Sequence, residues 1–483
     1  MVLVCLVLVG CGRGATPSDA VLDGPPKAPV VEKSNVVIFL ADTLRADVLG
    51  CYGFALDTSP TIDAFAEKSY VFENTFAQSS WTKPSVASML TGYLPSVHQA
   101  VLSSSGAEAG EENVQVLRES FVTLAEQFKS AGYTTALFTI NGHCKKEFGF
   151  AQGFDHYWFR NMQDPAKQMD EVLDWLHNKS TTPFLLYVHV SDPHHPYIPP
   201  RKYYDALYDD RLPLTETDRE IVRDYWRVYA EWAGRREPDD GVRLDDISRK
   251  GVEQLKRLYT AEVRYVDAQF KRLLDGLSQR GIRDQTTIAF LSDHGEEFKE
   301  HGTIGHGRTL YDEVTRVPLI ISQAGKHEKA RVRWNVRMFD LYPTLLTLAG
   351  LEVPDGIQAE SLFNPEGSLA VREDRLIISE LDLSRRDHKE WIVSMIDGLN
   401  RIVIDRSTDT VRVFNRYNDP GEFNPEEPDQ HNLSRFGRTR SLWNKLSEAI
   451  DQNDTLSDQL GSADWTAMDS ETLELLSNLG YVQ

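Results

Sequence analysis

Cysteine is scarce in this chain: four in 483 residues, at Cys5, Cys11, Cys51 and Cys144. None are spaced as C-x-x-C or as a zinc finger, which excludes a disulfide scaffold, a thioredoxin-type redox site and a zinc knuckle. Only Cys51 and Cys144 lie in the body of the chain, and both are expected to stay as buried thiols. Positive charge is thin as well. Lys and Arg number 52 against 73 Asp and Glu, a formal net charge of -21, and there is no long basic run. No nucleic-acid partner is therefore expected, since such a face must be positive. An anionic substrate remains compatible with this charge, because a bound cation inverts the local field. Long apolar runs are also missing. The opening M-V-L-V-C-L-V-L-V-G is far too short to span a bilayer.

That opening reads instead as the end of a secretory apolar region. Leu8-Val9-Gly10-Cys11 resembles a bacterial lipobox, with Cys11 as the lipidated residue. Residues 1–10 are then a signal peptide and 11–34 a Pro- and Ala-rich tether, which places the protein in a bacterial periplasm or at the cell surface. No Lys or Arg precedes the apolar run, so the start is expected to be truncated.

The body of the chain alternates apolar strands with amphipathic helices. Asn35 to Asp42, Thr134 to Ile140, Phe184 to Val190 and T-T-I-A-F-L-S-D, ending at Asp293, read as strands buried on both faces. Leu255 to Leu277 carries apolar residues at helical spacing. This pattern predicts an α/β sandwich around a mostly parallel sheet over residues 35–370. Residues 203–246 are dense in charge and aromatics and read as a helical insertion, packed on the body or covering the substrate. Past 370, Trp391 to Ile396, Arg401 to Asp405 and Val411 to Asn415 are short strands between turn signals. They predict a small antiparallel subdomain with a helical tail over 371–483.

The chemistry concentrates around Ser79 to Gly92, S-S-W-T-K-P-S-V-A-S-M-L-T-G. Pro84 suits a first helical turn and Gly92 a helix stop. Thr82 then sits at a helix N-terminus, where backbone N–H groups and the macrodipole favour an anionic ester and an attacking oxygen. The plainer alternative is that Thr82 only caps the helix. Two of the buried strands end on acids, Asp42 and Asp293, and His294 follows directly. In open α/β sheets ligands bind beyond the carboxyl ends of strands. Asp42, Asp293 and His294, with Thr82, make an oxygen and nitrogen ligand set for one divalent cation. Zn²⁺ or Mn²⁺ suits it better than Ca²⁺. His194 and His306 are candidates to assist the leaving group. Lys83 and Asn141 are expected to contact the substrate. Asp192, His194, His195 and His301 leave room for a second metal ion.

At these residues the chain resembles the sulfatase family of the alkaline phosphatase superfamily. N-V-V-I-F-L-A-D-T-L-R-A-D is similar to that family's first strand and metal Asp, and W-T-K-P-S-V-A-S-M-L-T-G to its nucleophile motif. D-P-H-H-P-Y, F-L-S-D-H-G-E-E-F, G-H-G-R-T-L-Y-D-E-V-T-R-V-P and the ending L-S-N-L-G-Y-V also match. The resemblance implies an alkaline-phosphatase-like sandwich, a metal ion and hydrolysis or transfer of sulfuric or phosphoric esters, whether of glycans or of lipid head groups. The departures are chemical. Formylglycine sulfatases need Cys or Ser where Thr82 stands, and oxidising a threonine at Cβ would give a ketone, so no formylglycine is expected. Val86 replaces the family's arginine, Thr43 a second metal Asp and His294 an Asn. A Thr nucleophile with Asp-His ligation is the pattern of the superfamily's phosphoryl enzymes, which makes phosphoryl substrates the expectation. A true sulfatase with unmodified Thr82, or an idle binding protein on an old fold, are the alternatives.

Overall fold

The computed structural model describes residues 33–467, apart from 102–104, 107–111, 162–163, 233–240, 373–374, 383–390 and 429–436. The expected signal peptide, Cys11, the tether up to residue 32 and the closing L-S-N-L-G-Y-V lie outside the described residues.

The central sheet has eight strands: β1 (Asn35–Ala41), β2 (Tyr70–Phe76), β3 (Thr134–Thr139), β4 (His156–Phe159), β5 (Phe184–Val190), β6 (Thr286–Leu291), β7 (Arg316–Ser322) and β8 (Ala330–Arg337). Their order is β8-β2-β7-β6-β1-β5-β3-β4. β7 runs antiparallel to both its neighbours. The other pairings are parallel. Alternation along β1 sends Val36, Ile38 and Leu40 into one core and Val37, Phe39 and Ala41 into the other. An uninterrupted apolar run is what such a strand requires.

β2, β4 and β8 carry no such run, and the hydropathy pattern alone does not reveal them. β8, A-R-V-R-W-N-V-R, is an edge strand with exposed Arg331 and Arg333 alternating with buried Val332. Charge on an edge strand also blocks pairing with another chain.

The register decides where function sits. Ala41 of β1 lies opposite Val190 of β5, and Leu40 opposite Leu291 of β6. Three adjacent parallel strands thus end level, and the residues that follow each one emerge along the same edge of the sheet.

The helix Arg249–Gln279 covers the second core, burying Leu255, Tyr259, Val266, Phe270, Leu273 and Leu277. It starts six residues before the apolar pattern because Ser248 caps it, accepting from the backbone of Lys250 and Gly251. The 203–246 region holds separate helices, Glu216–Arg223 and Tyr225–Trp232, rather than one continuous helix. Ile221, Tyr225, Val228 and Tyr229 nevertheless all point into the second core.

A second sheet, antiparallel, is formed by β9 (Leu376–Asp382), β10 (Trp391–Asp397), β11 (Asn400–Asp405) and β12 (Thr410–Asn415) in that order. Val393, Met395, Ile402 and Ile404 pack against Leu442, Leu446 and Ile450 of the helix Gly437–Leu460. Both body cysteines are unpaired thiols; Cys144 is buried, but Cys51 is only half-buried, correcting the expectation for it.

β9 carries a buried carboxylate, Glu380, which accepts from the Ser96 backbone N–H at 2.7 Å and the Ser96 hydroxyl at 2.9 Å. Burial outweighs these bonds and pushes Glu380 up to about 7 from 4.5. The folded state therefore binds the proton more tightly than the unfolded chain. Its stabilising effect is complete below the unfolded value, declines as pH rises through about 7, and is gone above that. Glu380→Gln is expected to flatten the stability profile between pH 4.5 and 7 by roughly 3 kcal/mol, measured by urea unfolding at each pH.

Candidate active site

The helix after β2 spans Thr82–Thr91, and every residue in it is buried. It begins at Thr82 itself. Trp81 holds the N-cap position in an extended conformation, with no side-chain cap bond. The capping alternative for Thr82 is thereby set aside. Gly92 ends the helix at φ +76°, where a left-handed residue is needed. Ser85 donates to the carbonyl of Asp293 at 2.6 Å, fastening the first turn of the helix to the end of β6.

Directly after β1 the chain turns sharply. Thr43, a β-branched residue, sits at φ +56°, a strained conformation. Its neighbours hold it there. The Thr43 carbonyl accepts from Tyr259 Oη at 2.8 Å, the Leu44 N–H donates to Ser292 Oγ at 2.9 Å, and the Arg45 N–H donates to Tyr259 Oη at 2.9 Å. This turn points Asp42 across the level strand ends toward Asp293 and His294.

Asp42, Asp293, His294 and Thr82 are all fully buried. Thr82 Oγ1 lies 3.5 Å from Asp42 Oδ1 and 3.3 Å from His294 Nε2. His294 Nε2 lies 3.5 Å from both Asp42 Oδ1 and Asp293 Oδ2. Its Nδ1 lies 3.0 Å from the Gly295 carbonyl, which leaves Nε2 facing the carboxylates and Thr82. Asn141, beyond the end of β3, donates to Asp42 Oδ2 and approaches Thr82 Oγ1 at 3.4 Å.

Two buried carboxylates this close are costly without a cation between them. Burial alone would raise the Asp42 carboxyl, but the His189, His194 and His294 imidazoles outweigh it and hold it below the usual range. Burial and the Asp42 charge together raise Asp293. Asp293 Oδ2 has no hydrogen-bond partner. The ligand atoms of Asp42, Asp293 and His294 lie within 4.8 Å of one another. A hard-to-borderline divalent cation fits this donor set.

A second cluster adjoins the first. His306 packs on His294 with ring centroids 4.5 Å apart, and on His194 at 4.9 Å. His195 stacks beside His194 at 4.2 Å. Glu296, fully buried, accepts from His306 Nδ1 at 2.9 Å and faces His195 Nδ1 at 3.7 Å. Burial, with the charge of His194, pushes His195 down to about 3. The helical insertion supplies Tyr229, whose ring lies 4.5 Å from that of His195.

Some expected residues are placed elsewhere. The Lys83 ammonium is buried and donates to the carbonyls of Val101 and Gln115, over the Phe148 ring, and burial pushes its pKa well down. It is committed to the protein interior rather than to a substrate. His301 does not join the second histidine cluster: it stacks on Tyr311 at 3.6 Å and lies 3.4 Å from Glu313. Asp192 is also outside that cluster, where His306 takes part instead. Conversely, Glu296 and His189 were not singled out from sequence. Glu296 follows D-H-G directly, and that proximity to Asp293 was the available signal. His189 lies inside the apolar run of β5, 3.8 Å from Asp42 Oδ2, and only the fold reveals it.

The loop carrying His306 contains Gly305 at φ +95°, and a Cβ there would stand 2.6 Å from Tyr229 Oη. Gly305→Ala is expected to cost about 2 kcal/mol in thermal unfolding and to lower turnover, because Tyr229 and His306 must both shift.

At the carboxyl edge of its sheet this α/β sandwich gathers two buried acids, a histidine and a helix-terminal hydroxyl, a set that suits a metal-dependent hydrolase of sulfuric or phosphoric esters. The sulfatase sequence profile matches residues 34–351, and the chain belongs to the sulfatase family. It is 24% identical over 485 residues to the uncharacterized sulfatase YidJ of Escherichia coli K12, covering 90% of each chain. A putative sulfatase of Bacteroides thetaiotaomicron superposes with a TM-score of 0.68 at 20% identity, over 91% of this chain and 96% of that one. The phosphonate monoester hydrolase of Agrobacterium radiobacter superposes equally well, at 0.68 and 19% identity, over 88% and 96%.

Proposed function

We propose that this protein hydrolyses or transfers phosphoric esters with Thr82 as the nucleophile. The observation that carries this reading is the position of Thr82 Oγ1: first residue of a buried helix, uncommitted to capping, and 3.3–3.5 Å from His294 and Asp42. Asp42, Asp293, His294 and Thr82 would hold one divalent cation, with Zn²⁺ or Mn²⁺ preferred over Ca²⁺ for the imidazole in the set. When bound, the ion lowers the pKa of a hydroxyl and offsets charge on the ester. The helix N-terminus orients the anion through its free backbone N–H groups. Asn141 restrains Asp42 and lies within reach of the same anion. Thr82 gives its hydroxyl proton to solvent water, its Oγ1 forms the bond to phosphorus, the bond from phosphorus to the leaving oxygen breaks, and that oxygen takes a proton from His194 or His306. Water then releases the phosphoryl group from Thr82, or an acceptor alcohol does.

The chemistry of Thr82 sets formylglycine aside. The substrate is an anionic ester, of a glycan or a lipid head group, met at a bacterial surface by a protein tethered through Cys11. Family membership favours a second reading, sulfate transfer by the same unmodified threonine. Turnover of 4-nitrophenyl sulfate, phosphate and a phosphodiester by protein loaded with Zn²⁺, Mn²⁺ or Ca²⁺ separates the two. Faster phosphoryl turnover is the expected result. Faster sulfate turnover would establish the second reading, and no turnover with any metal would overturn both.

A further inference from the structure

We infer that Tyr259 is a positioning residue for the cation site. From the helix Arg249–Gln279 it holds the strained turn after β1 in the conformation that places both carboxylates. Thr43 is β-branched and sits at φ +56°, a region such residues avoid. Without a restraint the turn would relax to negative φ. In the strained form the Thr43 N–H donates to Asp293 Oδ1 at 3.3 Å, and the same oxygen accepts from the His294 N–H at 3.0 Å. Asp293 Oδ2 has no hydrogen-bond partner and lies 3.5 Å from His294 Nε2, on the side of the proposed ion. The turn therefore acts on two ligands. Asp42 directly precedes it, and Asp293 is held by it.

Tyr259 Oη fastens the turn at two points. It donates to the Thr43 carbonyl at 2.8 Å and accepts from the Arg45 N–H at 2.9 Å. A phenol both donates and accepts, so one oxygen serves both backbone groups. Ser292 holds the residue between them. Its Oγ accepts from the Leu44 N–H at 2.9 Å and donates to the His294 carbonyl at 2.7 Å. Packing does not explain the Tyr259 hydroxyl. The ring lies 5.8 Å from that of Tyr197 and 5.2 Å from that of Phe298 in the second core, and a phenylalanine would keep these contacts. The oxygen matters for the turn alone.

Residues that orient metal ligands from outside the ligand set are worth about 10- to 100-fold in affinity. The inference rests on Asp42, Asp293 and His294 as the cation's ligands, and not on Thr82 being the nucleophile.

Cation affinity tests it without an activity assay. The full chain is stripped with chelator and titrated with Mn²⁺, the free ion being counted by electron paramagnetic resonance. Tyr259→Phe is expected to bind Mn²⁺ about 10- to 100-fold more weakly than wild type. Thr43→Gly adopts left-handed φ without strain and is expected to stay within about threefold of wild type. In the Thr43→Gly background Tyr259→Phe should cost less than about threefold, because the turn no longer needs a clamp. Asp42→Asn identifies the site being read and should weaken binding at least as much as Tyr259→Phe does. Equal affinity in wild type and Tyr259→Phe would overturn the inference and leave the cation site standing. An equal loss in both backgrounds would also overturn it, since a tyrosine that only stabilises the fold behaves that way. A wild type that binds no Mn²⁺, or an Asp42→Asn protein that binds as wild type does, would overturn the cation site and the inference with it.

Discussion

Thr82→Ala is expected to lower kcat/KM for the preferred phosphoryl ester by about 10,000-fold, a loss on the order of 5 kcal/mol of transition-state stabilisation. On the proposed reading the substitution removes the attacking oxygen and one ligand of the cation at once, while the surrounding helix is held by other contacts. Ser85 still fastens it to Asp293, and Val86, Met89 and Leu90 still pack in the core. Thr82→Ser retains the hydroxyl and is expected to keep most of the activity. The decisive measurement is acid quenching during turnover followed by intact-mass analysis. Wild type should carry one covalent phosphoryl group on the peptide containing Thr82, and Thr82→Ala none. If wild type turns over without labelling while Thr82→Ala loses activity only slightly, water attacks directly and the threonine is a ligand at most.

Arg401→Ala is expected to produce the largest loss of stability, about 3–5 kcal/mol, because it strips a buried cation from the buried Glu422 and the partly buried Asp312. Arg401, on β11, is almost completely buried. Its guanidinium donates to Glu422 Oε2 at 2.6 Å, lies 3.0 Å from Asp312 Oδ1, and reaches Thr315 Oγ1 at 3.3 Å. Arg416 bonds the other oxygen of Asp312 at 2.6 Å. Asp312 stands at the end of the segment that carries His306, so this network locks the antiparallel sheet onto that segment. Burial pushes Glu422 up to about 7 even with Arg401 beside it. Without Arg401 its ionised form is costlier still, so the loss should be greatest above pH 7. Urea unfolding at pH 6 and pH 8 checks both the size and the direction. Arg401→Lys is expected to recover little, since an ammonium cannot bridge Glu422, Asp312 and Thr315 in one plane.

The strands that matter most to the site were also the easiest to recognise. β1, β5 and β6 lie in the middle of the sheet, and burial on both faces demands unbroken apolar runs that hydropathy reveals directly. Strands nearer the edges, such as β4 and β8, tolerate polar and charged residues, so their sequences resemble loops. The insertion was legible as helical from its charge and aromatics, while its break near Asp224 was not.

Local chemistry could likewise be read residue by residue: acids at the ends of apolar strands, a threonine before a small-residue helix, histidines in D-P-H-H-P and G-H-G. Those features single out Asp42, Thr82, Asp293 and His294 as candidates, and the fold brings the four together. What a chain of letters does not carry is partnership. Lys83 sits next to Thr82 in sequence, yet helical geometry turns neighbouring side chains to different faces, and its ammonium ends among backbone carbonyls. His301 and His306 are equally plausible ligands by spacing. The loop between them places one on Tyr311 and the other against His294. Glu296 and His189 gain their roles only because the level ends of adjacent strands bring residues more than a hundred positions apart within a few ångströms. Composition and periodicity determine which segments are buried and which residues can do chemistry. Strand register and loop closure, which depend on long-range pairing, decide which of those residues meet.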